Sequence, residues 1–192
     1  TGAVTDFVLN RALDDALAWR AASFDVPVAV NLFAASLTNL GIPGKIAGAL
    51  AERGLPPATL TVEITEDMFL ENVERTRVVL EGLRDNGIRI AIDDFGAGHT
   101  SLRHLRAFPI DILKIDGAFT QNLRRSTDDR FYVRTLVELA GHLGVETVAE
   151  WVDDEMQASM LRDWGVTYLQ GHLVGRAETV EPPQAAPRRL AV

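Results

Sequence analysis

Asn86-Gly87-Ile88-Arg89-Ile90-Ala91-Ile92-Asp93-Asp94-Phe95-Gly96-Ala97-Gly98 runs from a helix stop through an apolar strand to two adjacent carboxylates and a glycine turn. Upstream of it, Met68, Phe69, Val73, Val78, Val79, Leu80 and Leu83 recur at helical spacing and predict a helix over 66–86. Asn86-Gly87 is a usual C-terminal stop for such a helix. A strand over 88–94 follows at once. This rapid passage from helix to strand is the mark of a βαβ unit, because parallel strands need a crossover between them.

The same unit recurs along the chain. Strands are predicted at 26–32 around Asn31, 59–65 around Glu63, 88–94 closing on Asp93 and Asp94, 111–116 around Lys114, 145–150 closing on Glu150, and 166–170 closing on Gln170. A first helix over 1–21 carries Val4, Phe7, Val8, Leu13, Leu17 and Trp19, with Thr5 as its expected cap. A second covers 35–53 and is interrupted at Pro43-Gly44, and Gly54-Leu55-Pro56-Pro57 leads out of it. Gly96–Gly98 opens a short helix through Leu105, and further helices are predicted at about 128–143 and at 153–163. From Glu181 onward there is no apolar periodicity, so residues 1–180 read as one domain and 181–192 as a disordered tail.

Two architectures fit this alternation, an open doubly wound sheet and a closed barrel. Each strand ends at or near a polar side chain, and the carboxyl ends of parallel strands face one mouth. An open sheet concentrates its ligand at one switch point, whereas a barrel lets every strand contribute. The ring of polar ends therefore favours a (β/α)8 barrel. A complete barrel has eight strands and about 250 residues. Six strands are counted in these 192 residues, and because the chain opens on a helix the missing two are expected before Thr1.

Composition narrows the chemistry. A net charge of −8 argues against a broad duplex nucleic-acid face, but carboxylates gathered at one mouth can bind divalent cations that in turn attract phosphate. There is no cysteine, hence no disulfide or thiolate metal site, and the cytoplasm is the expected compartment. No stretch reads as a signal peptide or a spanning helix, so no membrane insertion is expected of this chain, although a neighbouring domain could tether it.

The candidate residues must be weighed against blander roles. Asp93 and Asp94 at a buried strand end repel one another and need cations to stay ionised together, unless Asp94 only caps the next helix. Glu63 in an apolar strand requires a cation or a hydrogen-bond partner. Glu66 reads most simply as a first-turn acid favouring a helix dipole. Asn31 is a neutral oxygen ligand or a turn residue. Lys114 in an apolar strand must meet carboxylate or phosphate unless it lies on a solvent-facing edge. The histidines His99, His104, His142 and His172 match no zinc spacing, and His142 reads as a favourable residue near a helix C-terminus. No nucleophile elbow, Walker loop or dinucleotide fingerprint occurs.

Taken in order, Val30-Asn31-Leu32, Glu63-Ile64-Thr65-Glu66, Asp93-Asp94-Phe95-Gly96-Ala97-Gly98 with Ser101-Leu102, Leu113-Lys114-Ile115-Asp116, Ala149-Glu150 and Gln170-Gly171 resemble the EAL domain family of cyclic di-GMP phosphodiesterases. The resemblance runs from Thr1 to about Ala177. It implies a modified (β/α)8 barrel holding two Mg²⁺ or Mn²⁺ ions and opening cyclic di-GMP to linear pGpG. By matching position, Asn31, Glu63 and Asp93 would hold one metal, and Asp93, Asp94 and Glu150 the other. Lys114 would orient the attacking water or stabilise charge, Gln170 would support the substrate site together with Asp94, and Glu66 would fix the loop after the aspartates, near a dimer interface.

Departures accompany the matches. The Glu-Ala-Leu strand that names the family, whose Glu is a metal ligand, does not occur in these residues. The family's usual Glu-Gly-Val-Glu reads Glu150-Trp151-Val152-Asp153, His99 stands where Tyr is frequent, and Phe33 where Ser is common. The leading expectation is a phosphodiesterase domain of a bacterial second-messenger protein, with little or no hydrolysis by these 192 residues alone. The alternative is a non-catalytic cyclic di-GMP receptor or interaction module. A homodimer and sensory or regulatory domains N-terminal to this one are the expected partners.

Overall fold

The computed structural model describes residues 2–68, 72–96 and 108–178. Six strands form one sheet: β1 (Val28–Asn31), β2 (Leu60–Thr65), β3 (Arg89–Phe95), β4 (Ile112–Ile115), β5 (Glu146–Ala149) and β6 (Tyr168–Leu169). All six expected strands are present. They pair in parallel and in sequence order, β1 to β6. That order decides between the two architectures. Right-handed crossovers that always advance in one direction put every helix on the same face, as in a barrel wall, whereas a doubly wound sheet reverses direction.

Among the described residues the α-helices with full bounds are α1 (Gly2–Ala21), α2 (Ala34–Leu37), α3 (Ile42–Glu52), α4 (Val73–Asp85), α5 (Gly117–Asn122), α6 (Thr127–Leu143) and α7 (Glu155–Asp163). Helix-facing strand residues Val30, Val62, Ile64, Ile90, Ile92, Leu113, Ile115 and Ala149 are buried against Leu13, Ile46, Leu80, Leu83, Val133 and Leu161. Each such aliphatic side chain contributes on the order of 1.5–3 kcal/mol of burial. The opposite parity carries the polar residues: Thr61 and Glu63 on β2, Asp93 on β3, Lys114 on β4 and Glu146 on β5.

Helix-to-strand junctions share one device. At Asn86-Gly87-Ile88 the Gly87 N–H donates to the Arg84 carbonyl at 2.8 Å and the Ile88 N–H to the Leu83 carbonyl at 3.1 Å. With Gly87 at φ +78 this is a Schellman ending, and it delivers the buried Ile88 directly into β3. The same bond pair recurs at Gly54-Leu55, Gly144-Val145 and Gly165-Val166, and at Ser23-Phe24 with a serine in the left-handed position. The same cap closes each of these helices.

Several sequence expectations are corrected. Thr5 lies inside α1 and is buried, so it is no cap. Pro43 does not interrupt a helix but occupies the first turn of α3, where its missing N–H costs nothing, and the break falls at residues 38–41. The helix expected over 66–86 does not start at Glu66. Glu66 and Asp67 form a turn, and α4 is capped by Asn72, whose side chain accepts from the Arg75 N–H at 3.3 Å. The short α5, capped by Asp116, was not anticipated because its Gly-Ala-Phe-Thr run has little apolar periodicity. The short helix expected from Gly96 through Leu105, with Ser101, Leu102, His99 and His104, lies outside the described residues beyond Gly96, as does the expected 181–192 tail. Among the described residues no helix is long and apolar enough to cross a membrane.

Candidate active site

Period-2 alternation brings Glu63, Asp93 and Lys114 to the concave face at the carboxyl ends of β2, β3 and β4, and Glu150 follows β5. The Lys114 ammonium sits among three carboxylates, 2.6 Å from Asp93 Oδ1, 2.9 Å from Glu150 Oε1 and 3.3 Å from Glu63 Oε1. Lys114 is only 6% exposed. Burial alone would pull its pKa down, but its hydrogen bonds to Asp93 and Glu150 and the field of Glu63 and Glu150 outweigh that and push it up. It is therefore a fixed ammonium. The expected edge-strand alternative for Lys114 fails, since β4 lies between β3 and β5.

Burial raises the pKa of Glu63 and Glu150, with Lys114 opposing the rise and Asp93 and Asp94 adding to it. Asp94 is raised as well, by burial first and then by Asp93 and Asp116. Four carboxylates around one ammonium leave a surplus of negative charge. Asp93, Asp94 and Glu150 offer oxygens that all lie within 4.8 Å of one another. Such a set of hard oxygen donors suits a divalent cation such as Mg²⁺, Mn²⁺ or Ca²⁺.

Adjacent strand residues normally point to opposite faces, so Asp93 and Asp94 should not share a site. A bulge resolves this. Between Ile92↔Leu113 and Phe95↔Ile115, β3 uses one residue more than β4, and Asp94 takes the left-handed conformation at φ +52. Bulges re-aim side chains in this way next to active sites, and Asp tolerates positive φ better than most residues. The helix that Asp94 was weighed to cap lies outside the described residues, and among those described Asp94 joins the carboxylate cluster.

Glu66 is buried, and its Oε2 accepts from the Gly96 N–H at 3.0 Å, which ties the residue after Asp93-Asp94-Phe95 to the end of β2. The reading of Glu66 as a first-turn acid of a helix is overturned by this contact. Tyr132 and Phe119 pack on the other side of Gly96, where a Cβ would lie 2.8 Å from the Tyr132 hydroxyl. Their part in holding this turn was invisible in the sequence, because neither stands near a motif.

Asn31 ends β1 in register with Glu63 and is exposed. Gln170 is bound through its backbone: its N–H donates to the Ala149 carbonyl at 2.9 Å, and its carbonyl accepts from the Val152 N–H at 3.0 Å. The structure thus gathers Glu63, Asp93, Asp94, Lys114 and Glu150, sets Glu66 behind them, and leaves Asn31 and Gln170 at the two flanks. His142 Nδ1 lies 2.7 Å from the Glu138 carbonyl at the end of α6, as its position near a helix end led us to expect.

The model of the EAL domain family matches residues 1–177. The chain belongs to the EAL domain family. Among its relatives, the cyclic di-GMP phosphodiesterase NbdA of Pseudomonas aeruginosa is 35% identical over 172 residues, which is 89% of this chain and 22% of that protein. The solved EAL domain of Mycobacterium smegmatis DcpA superposes with a TM-score of 0.86 at 35% identity, covering 91% of this chain and 79% of that one. The PaMucR phosphodiesterase in complex with c-di-GMP superposes with a TM-score of 0.84 at 35% identity, covering 90% and 70%. This EAL domain spans about a fifth (22%) of the length of the curated relatives it matches first. Its architecture is accordingly the EAL-type, TIM-like barrel, here as an arc of six strands.

One departure from the usual EAL pattern acquires a physical meaning. Trp151 stands in the left-handed region at φ +54, where a side chain is strained and glycine is at ease. Its backbone is held on both sides, by the Glu150 N–H to the Ile115 carbonyl at 3.2 Å and the Val152 N–H to the Gln170 carbonyl. Phe33, the other departure within the described residues, is 44% exposed and precedes α2.

Proposed function

We propose that this domain is a cyclic di-GMP phosphodiesterase that opens the ring to linear pGpG. The observation that carries the reading is the Glu63–Asp93–Asp94–Glu150 carboxylate cluster closed around Lys114 at the strand ends. Support also comes from relatives named as cyclic di-GMP phosphodiesterases and from a similar structure titled as a c-di-GMP complex.

The Asp93, Asp94 and Glu150 oxygens, all within 4.8 Å of one another, support one divalent cation, and a pair of cations is the proposed complement. Asn31, Glu63 and Asp93 would hold one, and Asp93, Asp94 and Glu150 the other. When bound, such a pair supplies an activated water and clamps the attacking and leaving oxygens of an in-line phosphoryl displacement. Lys114 holds Asp93 and Glu150 in place and donates to developing negative charge. Glu66 fixes the turn after Asp94, and Gln170 flanks the substrate.

The test is hydrolysis by the full-length protein that carries this domain, followed as pGpG release with Mn²⁺. Loss of turnover in Glu63→Gln and Asp93→Asn variants is the expected result, and undiminished turnover in either overturns the reading. The receptor reading rests on Trp151 beside Glu150. Calorimetry separates the two, since the enzyme reading requires nucleotide binding that depends on Ca²⁺ and the receptor reading requires binding without metal.

A further inference from the structure

Trp151 is 51% exposed although it directly follows the buried Glu150. Part of its indole is covered. A Cβ on Gly117 would lie 2.1 Å from Trp151 Cδ2 and 2.2 Å from Cγ, so the ring packs against the bare backbone at the start of α5. The ring also borders an open cavity of about 300 Å³ with Gln121, Asp153, Gly171 and His172.

Three features distinguish this ring from a side chain that merely lies on the surface. Its backbone conformation is strained, and strain of this kind persists where the surroundings over-determine it, often at ligand sites. Its backbone is pinned on both sides, by the Glu150 N–H to the end of β4 and the Val152 N–H to the residue after β6, so a partner would meet an ordered segment. Its cavity is rimmed by an amide, a carboxylate and an imidazole, with Asp153 Oδ1 3.4 Å from His172 Nδ1. A flat aromatic face with polar groups at its edge is the arrangement that takes a nucleobase, stacked on the ring and hydrogen-bonded along its rim.

We propose that Trp151 is a stacking platform for one guanine base of the cyclic dinucleotide, clamped between the nucleotide and Gly117 beside the carboxylate cluster. The proposal rests on the cyclic di-GMP reading of that cluster and adds to it a specificity and affinity element peculiar to the Trp151 position. Gln121 and Asp153 are placed to meet the polar edge of the base.

Calorimetric titration with cyclic di-GMP in the presence of Ca²⁺, which supports binding without needing turnover, tests it on the unaltered protein and on Trp151→Phe and Trp151→Leu. The expected result is a loss of affinity of about tenfold or more for the leucine variant, with phenylalanine within about threefold of the original. A second reading comes from a Trp19→Phe/Trp164→Phe background, in which the remaining Trp151 fluorescence should be quenched on titration. The proposal is overturned if leucine binds as well as tryptophan, if phenylalanine is as weak as leucine, or if the fluorescence is unmoved. Binding by the unaltered protein with unaffected variants sinks the stacking platform alone. No binding by the unaltered protein sinks the nucleotide reading, and the platform with it.

Discussion

The ammonium nitrogen of Lys114 lies 2.6 Å from Asp93 Oδ1, across the β3–β4 pairing. This contact joins the centre of the carboxylate cluster to the bulged strand that carries two of its members, and Glu150 and Glu63 close on the same nitrogen from β5 and β2. Removing the ammonium leaves buried like charges facing one another. Lys114→Met should therefore destabilise the metal-free protein by about 3–5 kcal/mol, the usual cost of breaking a buried ion pair. Millimolar Mn²⁺ should recover a large part of that loss by replacing the missing positive charge. Urea unfolding with and without Mn²⁺ checks this, and an equal loss in both conditions contradicts it.

The raised carboxyls of Glu63, Asp94 and Glu150 have a definite sign. Their ordinary values are 4.5, 3.8 and 4.5, and each lies higher in the folded protein. The stability they contribute is complete below the unfolded values and is lost as pH rises through the folded ones. A neutral isostere at Glu150 escapes this loss. The Tm of Glu150→Gln relative to the metal-free parent should accordingly rise as pH goes from about 4 to about 7, and a difference that is flat or falls over that range rules the prediction out.

Glu66 reaches Gly96 with a charged acceptor. Such a bond is worth about 1.5–3 kcal/mol, or roughly 10- to 150-fold in a local opening equilibrium. In Glu66→Ala the Gly96 amide should exchange with solvent faster by about that factor, while amides in β2 keep their rates. Unchanged exchange at Gly96 would mean that the turn is held by other contacts.

Ser23 occupies the left-handed position that glycine fills at Gly54, Gly87, Gly144 and Gly165. Ser23→Gly should stabilise the protein by about 0.5–1 kcal/mol, the relief of left-handed strain less the extra freedom glycine gains in the unfolded chain. A higher denaturation midpoint with an unchanged slope is the expected readout.

Gly171 approaches the backbone of Val152 so closely that a Cβ would lie 2.3 Å from both its nitrogen and its carbonyl oxygen. Gly171→Ala must push β6 away from the end of β5, at a cost of about 1–3 kcal/mol by analogy with overpacking. Gly48→Ala, with nothing within 4 Å of the new methyl, is the matched control. If the two variants melt together, the close approach carries no energetic weight.

Much of this molecule was legible in the sequence. The strands showed as apolar runs between glycine stops, and Glu63 and Lys114 betrayed themselves as charges inside such runs, where burial demands a partner. The order of strands did not follow from the runs, because pattern within a segment says nothing about which segment lies beside it. Glu66 and Asp67 were read as helix because Met68 continues the spacing of α4, and only the contact between Glu66 and Gly96 shows the competing pull. Asp93 and Asp94 were read as one carboxylate pair, but how they come to share a face was closed to inspection. Strand periodicity sends neighbours to opposite faces, and one extra residue in β3 together with a left-handed Asp94 undoes that rule. Sequence by itself determined which residue types stand at the strand ends, since hydrophobic period and helix stops are local. Tertiary structure alone decided how two adjacent aspartates turn the same way and that Trp151 packs on Gly117. Each of these depends on register between segments distant in the chain, which only packing establishes.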